Sequence, residues 1–243
     1  MTSEDEETIS EARPSLAAIV RRALPHALPV MLGYLSIGIP CGIMEAEIGV
    51  SPLFAFLISL AFYTGSGQFM IANMVLAGLP AYSIVLAVIL VSTRQLLYSA
   101  AYAPYFASVR KALALFFSAT VTDETFGVNM DRYAQDPSWT AEDATAVNCL
   151  SRLSWASANC LGALVGSMVD IPTDITSFAM TSIFICLLVS QGASRQNVVV
   201  TAVAFASVLL LKLVGLGHIS VLVGAILAVL CGFAVMRGGQ HAS

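Results

Sequence analysis

Charged side chains are rare in the apolar first half of this chain, and one of them is a candidate substrate ligand. Between residues 23 and 109 only Glu45, Glu47 and Arg94 carry formal charges. An arginine in the middle of an apolar segment costs about 2.5–3.5 kcal/mol to insert into a membrane, so Arg94 needs a carboxylate, carbonyl groups or water nearby. Arg94 is therefore a candidate for binding a substrate carboxylate, and Tyr98 shares its helical face. The alternative is structural: Arg94 reaches a membrane interface or pairs with an acid.

Two adjacent carboxylic acids, Asp123 and Glu124, form the second candidate group. Desolvation and mutual repulsion disfavour two negative charges at neighbouring positions in an apolar context. A carboxylate in such a place can take up and release a proton as its surroundings change, so the pair is a candidate for proton coupling. The alternatives are that the pair ends a segment at the membrane surface, or that Asp123 neutralises Arg94.

Glycines interrupt the apolar segments at two places, residues 38–42 and residues 64–68 (TGSGQ). Non-helical backbone at membrane depth is tolerated only where it is buried in protein or lines a wet cavity, and the N-terminus of a half-helix suits a carboxylate. Close helix packing is the alternative explanation for the glycines. With Arg94 and Tyr98, the predicted substrate-binding residues are Gly38, Gly42, Gly65, Ser66, Gly67 and Gln68.

The composition is typical of a polytopic membrane protein. Of the 243 residues, 58% are hydrophobic and 11% are charged, whereas soluble domains carry about 25% charged residues. We expect an all-α membrane protein with about seven or eight membrane segments, and with broken or re-entrant helices in the first half. Eight simple crossings, and six crossings with two re-entrant hairpins, both fit. The predicted segments are 27–48, 53–77, 82–102, 112–130, 144–169, 177–191, 198–216 and 219–236.

The segments predict one transport domain at residues 23–237. A disordered acidic tail at 1–22 precedes it and a short tail at 238–243 follows. Lys and Arg in short loops stay cytoplasmic, so eight crossings place both termini in the cytoplasm, although Arg110 and Lys111 then fall outside. The net charge of −4 gives no indication of a nucleic-acid partner.

The reactive side chains do not form a pattern typical of an enzyme or a metal site. Five cysteines and three histidines are scattered without a Cys-x-x-Cys or His-Glu-x-x-His motif. Ser66 has no histidine at a matching depth that could activate it. We therefore predict no catalytic residue, no metal and no cofactor.

Four motifs in a fixed order resemble one family of membrane proteins. They are PVMLGY at residues 29–34, YTGSGQF at 63–69, TRQLLYS at 93–99 and TDETF at 122–126. In this order they resemble the AzlC type, the large subunit of two-component branched-chain amino acid exporters, over roughly residues 24–232. Members usually have asparagine before the arginine and histidine after it, where this chain has Thr93 and Gln95.

The resemblance has implications for transport, location and assembly. It implies export of leucine, isoleucine, valine or methionine-like amino acids, driven by a proton gradient. It implies a multi-pass protein of the bacterial inner membrane. It also implies a small hydrophobic partner subunit of the AzlD type, separate from this chain. A channel and a non-transporting scaffold are the alternatives to a transporter.

Overall fold

The structure, a computed structural model, describes residues 15–169 and 195–215 and short stretches between 178 and 232. Its described residues form helices and no strand, which confirms the all-α prediction. In chain order the helices are α1 (Leu16–Glu47), α2 (Pro52–Ala61), α3 (Gly65–Leu76), α4 (Ala81–Ala101), α5 (Lys111–Ser118), α6 (Asp123–Gln135), α7 (Ala141–Met168) and α8 (Arg195–Leu213).

The described helices agree with the predicted segments in part. Two of them, α1 and α4, are long and apolar enough to cross a membrane, so the number of crossings stays a prediction. The segments at 177–191 and 219–236 lie largely outside the described residues. Helix α1 begins at Leu16 with Ser15 as its N-cap, so residues 16–22 of the predicted disordered tail are helical. Residues 1–14 and the C-terminal tail lie outside the described part.

Helix α1 is continuous over 32 residues and includes Pro25, Pro29 and Pro40. The predicted interruption at residues 38–42 is therefore wrong. Proline is tolerated inside such a helix because neighbouring helices and local adjustments satisfy the freed backbone groups. The glycines on either side of Pro40 serve the alternative purpose, close packing.

Helices α1 and α7 make the most extensive contact between described elements. A Cβ atom on Gly42 would collide with the backbone of Asn159 and Ala163, and one on Gly162 would collide with the backbone of Ile39. Small residues on both helices thus let the two backbones approach closely. The shorter helices α2, α3, α5 and α6 pack against this pair.

Two of the predicted segments are broken helices. The segment at 53–77 divides into α2 and α3, and the segment at 112–130 divides into α5 and α6. Threonine caps the second half of each: the Oγ1 atom of Thr64 accepts a hydrogen bond from the N–H of Gly67, and that of Thr122 accepts one from Thr125. The break near residue 64 is confirmed, and the other break is at residues 119–122.

Large apolar side chains are exposed on α2 and α4. Leu53 on α2 is 68% exposed, and Leu96 and Leu97 on α4 are each 71% exposed. Soluble monomers rarely present contiguous apolar surface of this kind. Lipid or another membrane chain is the natural cover for it.

Candidate functional site

A cavity of about 60 Å³ lies where the first turns of α3 and α6 meet α1, α4 and α7. This volume has room for a few water molecules. The residues that line it are Tyr34, Ile37, Thr64, Gly65, Ser66, Phe69, Arg94, Gln95, Thr122, Asp123, Glu124 and Trp155. Charged and hydroxyl groups thus share one small space with aromatic and aliphatic side chains.

The N-terminus of α3 forms one side of the cavity and carries no acidic residue in its first turn. Thr64 starts the helix, and Gly65 lies flat against the Trp155 ring, since a Cβ there would be 3.4 Å from the ring edge. The first N–H groups of a helix have no partner within the helix and carry a partial positive charge. This side of the cavity therefore suits an anionic group.

The N-terminus of α6 forms another side and carries two acids, Asp123 and Glu124, in its first turn. A capping box between Thr122 and Thr125 fixes the helix start. The Tyr34 hydroxyl donates to Oε2 of Glu124 at 2.7 Å and lies 2.7 Å from Oγ1 of Thr122. The two carboxylates give this side of the cavity a negative charge that suits a cationic group.

Arg94 on α4 joins the two helix N-termini. Its Nη1 atom lies 2.5 Å from Oδ2 of Asp123, and its Nη2 atom donates to Oγ of Ser66 at 2.7 Å. The side chains of Arg94 and Asp123 are 39% and 31% exposed, so the ion pair is only partly buried. Pairing of Arg94 with Asp123, one of the alternatives open from the sequence, is the arrangement that the structure has.

Gln95, the neighbour of this arginine, stabilises the break between α2 and α3. Its Nε2 atom donates to the backbone carbonyl of Tyr63 at 3.3 Å. A carbonyl at a helix break has lost its helical partner and must find another. Gln95 thus supplies a hydrogen bond where the family pattern has a histidine.

The predicted site residues fall into three groups. Those that line the cavity are Gly65, Ser66, Arg94, Asp123 and Glu124. Gly67 and Gln68 are buried behind the lining on α3. Gly38, Gly42 and Tyr98 do not line the cavity.

The last three residues have packing contacts in the structure, and their role as substrate ligands stays a prediction. A Cβ on Gly38 would be 2.6 Å from the Cβ of Ala158, and Gly42 lies against the α7 backbone. Tyr98 stacks on Phe126, with 4.7 Å between the ring centroids. The glycines were assigned to a break that does not exist, and Tyr98 packs on α6 beside Asp123, the partner of Arg94.

Sequence reasoning missed the aromatic wall of the cavity, chiefly Tyr34 and Trp155. The Tyr34 and Trp155 rings meet edge to face at 5.4 Å, and the indole Nε1–H donates to Oε1 of Gln68 at 2.5 Å. A polar stripe at helical spacing along residues 148–159 was the available signal for Trp155, but it did not show which cavity the stripe faced.

Comparison with known proteins identifies the family of this chain. The family model described as AzlC protein matches residues 29–169. The chain belongs to the AzlC family. Every residue that lines the cavity lies within the matched range.

Relatives in three bacteria extend this result. The branched-chain amino acid transport protein AzlC of Bacillus subtilis is 27% identical over 76% of this chain and 72% of its own length. An uncharacterised membrane protein of Helicobacter pylori is 30% identical over 72% and 76%. The inner membrane protein YgaZ of Escherichia coli is 24% identical over 85% and 84%. No solved structure gives a significant match.

Proposed function

We propose that this chain is the large subunit of a proton-coupled exporter of branched-chain, and also methionine-like, amino acids. The AzlC family and the name of the Bacillus subtilis relative support the substrate class. The observation that carries the proposal is the Arg94–Asp123 ion pair between two capped helix N-termini. The pair provides one positive and one negative group close together. These are the partners that the carboxylate and the ammonium group of an amino acid need.

The substrate binds by exchanging partners with this ion pair. Its carboxylate takes the place of Asp123 beside Arg94, Ser66 and the positive N-terminus of α3. Its ammonium group takes the place of Arg94 beside Asp123 and Glu124. Because one ion pair is replaced by two, no charge in the cavity is left without a partner.

Apolar groups on the other side of the cavity receive the substrate side chain. Ile37, Phe69 and Trp155 line the space next to the charged groups. A hydrophobic pocket distinguishes substrates that differ by one methylene by only about 1–3 kcal/mol. We therefore expect leucine, isoleucine, valine and methionine to compete for the same site.

Substrate entry requires the helices around the cavity to separate. A cavity of about 60 Å³ has no room for a branched amino acid, so the structure corresponds to a closed conformation. Broken helices that meet at a central binding site are the elements that form substrate sites in secondary transporters. We propose that α3 and α6 move apart on one side of the membrane at a time.

The remaining parts of the proposal concern coupling and assembly. Of the two predicted proton-coupling acids, Glu124 takes up a proton when the substrate's ammonium group leaves, while Asp123 returns to Arg94. The exposed apolar faces of α2 and α4 are covered by lipid and by a small AzlD-type subunit. The complex lies in the bacterial inner membrane, with both termini in the cytoplasm.

Counterflow of labelled leucine into proteoliposomes tests the proposal. The chain is reconstituted with and without the small subunit, and isoleucine, valine and methionine are added as competitors. We expect saturable exchange that these competitors inhibit. Absence of exchange in both preparations for every one of the four amino acids overturns the proposal, and ionic currents that no amino acid saturates would identify a channel instead.

A further inference from the structure

Glu45 is a buried carboxylic acid that the cavity does not use. Glu45 is 5% exposed to solvent, and it lies near the C-terminal end of α1. The Oε1 atom accepts a hydrogen bond from Nε2 of Gln68 at 3.1 Å. The Oε2 atom is buried and has no hydrogen-bond partner. One half of the carboxyl group is thus satisfied and the other half is not.

No ion pair formed by the described residues includes Glu45. The cavity acids differ in this respect, because Asp123 binds Arg94 and Glu124 accepts from Tyr34. A buried carboxylate without a cation or a full set of hydrogen bonds is strongly unfavourable. An ionisable residue in such a position within a membrane protein marks a functional site by default.

The groups that face Glu45 do not supply a counter-charge. Helix α2 contributes the Ser59 hydroxyl and α3 contributes the Gln68 amide, and the two are joined by a hydrogen bond of 2.8 Å. Helix α7 contributes Trp155, which contacts the same amide. On α1 itself the titratable neighbours are the buried thiol of Cys41, one turn earlier, and Glu47, two residues later. None of these groups carries a positive charge.

A short hydrogen-bonded chain connects Glu45 to the cavity. The Gln68 amide donates to Glu45 and to Ser59 through Nε2, and accepts from Trp155 through Oε1. The Trp155 ring then forms a wall of the cavity and contacts Gly65. A change in the charge of Glu45 alters the strength of its bond to Gln68, the side chain that also binds the Trp155 indole.

We propose that Glu45 is a further proton-carrying residue of the transport cycle, protonated in this closed conformation and deprotonated when water reaches it. This inference rests on the proposed function and deepens it. The proton comes from water on one side of the membrane and leaves to water on the other side, and no bond in the amino acid forms or breaks. Asp123 remains paired with Arg94 or with the substrate throughout.

Infrared difference spectroscopy of the purified chain tests the protonation directly, without any transport. We expect a C=O stretching band of a protonated carboxyl group that disappears on raising the pH. The band should be absent from Glu45→Gln and present in Glu47→Gln, a matched substitution two residues along the same helix. A Glu45→Gln spectrum identical to that of the wild type overturns the inference.

Transport by the same variants tests the coupling. In proteoliposomes that contain the whole complex, we expect Glu45→Gln to retain leucine counterflow within about twofold and to lose about tenfold or more of the accumulation driven by a pH gradient. Unchanged accumulation, or loss of both activities in folded protein, overturns the coupling role. If Glu45→Gln does not fold, Glu45→Asp replaces it, because this variant keeps a carboxylic acid at the same position. The C=O stretching band of Glu45→Asp should then disappear at a different pH from the band of the wild type.

The two measurements separate this inference from the proposed function. If wild-type protein exchanges no amino acid, the proposed function fails while the infrared band still decides whether Glu45 holds a proton. If wild-type protein exchanges leucine but Glu45→Gln keeps its full response to the pH gradient, the inference fails and the transporter stands.

Discussion

Arg94 and Asp123 connect two half-helices that lie on different broken segments of the chain. Arg94 on α4 binds Asp123 in the first turn of α6 at 2.5 Å, and the same guanidinium group donates to Ser66 in the first turn of α3. The ion pair therefore holds the two helix N-termini together across the cavity. A substrate that separates the two helix N-termini must therefore supply a new partner for Arg94 and a new partner for Asp123.

Loss of the guanidinium group should weaken substrate binding sharply. In Arg94→Gln we expect the leucine concentration for half-maximal counterflow to rise about tenfold or more, because hydrogen bonds to charged groups contribute about 1.5–3 kcal/mol and 1.4 kcal/mol is tenfold in affinity. Arg110→Gln is the matched control, since Arg110 is exposed and does not line the cavity. Equal affinity in Arg94→Gln and wild type would contradict a substrate role for Arg94.

The α1–α7 contact predicts different effects for two glycines of the same helix. Gly42→Ala places a methyl group against the α7 backbone, whereas Gly33→Ala meets no atom within 4 Å. Overpacking of this kind typically costs about 1–3 kcal/mol, so we expect a lower melting temperature for Gly42→Ala in detergent and no decrease for Gly33→Ala. If Gly42→Ala melts like the wild type and loses leucine affinity instead, Gly42 is a substrate ligand, as the sequence alone predicted.

The lengths of apolar runs predicted most of the helices. Helix α4 was expected at 82–102 and lies at Ala81–Ala101, and α7 was expected at 144–169 and lies at Ala141–Met168. The break near residue 64 also followed from its glycines. These features depend on local sequence, since a helix needs a continuous apolar stretch and a break needs residues that permit it.

One of the two helix breaks was predicted at residues 38–42 but lies at residues 119–122. The reason is that glycine can either interrupt a helix or let two helices pack closely. At residues 38–42 the glycines permit close packing, which depends on Gly162 and Ala163, far away on α7. At residues 119–122 the break has neither glycine nor proline, and its local signal was a threonine N-cap followed by two acids, Asp123 and Glu124. From the sequence, the two acids were interpreted as proton-coupling groups, as the end of a segment or as a partner for Arg94, although the same pattern also marks a helix start.

The hydrogen bond from Gln95 to the Tyr63 carbonyl predicts that histidine, but not leucine, can replace Gln95 without a large loss of stability. In Gln95→Leu the Tyr63 carbonyl loses its donor, and an unsatisfied buried group costs about 1–3 kcal/mol. We expect Gln95→Leu to lower the melting temperature, and Gln95→His, which restores a ring N–H and matches the family pattern, to recover most of the loss. Equal stability of Gln95→Leu and wild type in thermal unfolding would show that the carbonyl needs no donor.

A polar cluster outside the predicted membrane segments predicts a pH dependence of stability. Asp136 accepts hydrogen bonds from the Ser138 hydroxyl and backbone N–H and from Arg22 at the start of α1. The Ser138 hydroxyl, followed by the Arg22 guanidinium, holds the pKa of Asp136 well below its ordinary value of 3.8. The cluster thus ties α1 to the loop between α6 and α7 through an ionised carboxylate.

Because the folded pKa is the lower one, the stabilisation by Asp136 is complete above the ordinary value and is lost as the pH falls towards the folded value. We therefore expect Asp136→Asn to have a lower melting temperature than wild type at neutral pH, and the difference to shrink as the pH falls below about 4. Asp131→Asn, which removes an exposed carboxylate on α6, serves as the control and should shift the melting temperature less at neutral pH. A difference between Asp136→Asn and wild type that is constant or grows in acid would mean that the Asp136 carboxylate does not stabilise the α1 attachment.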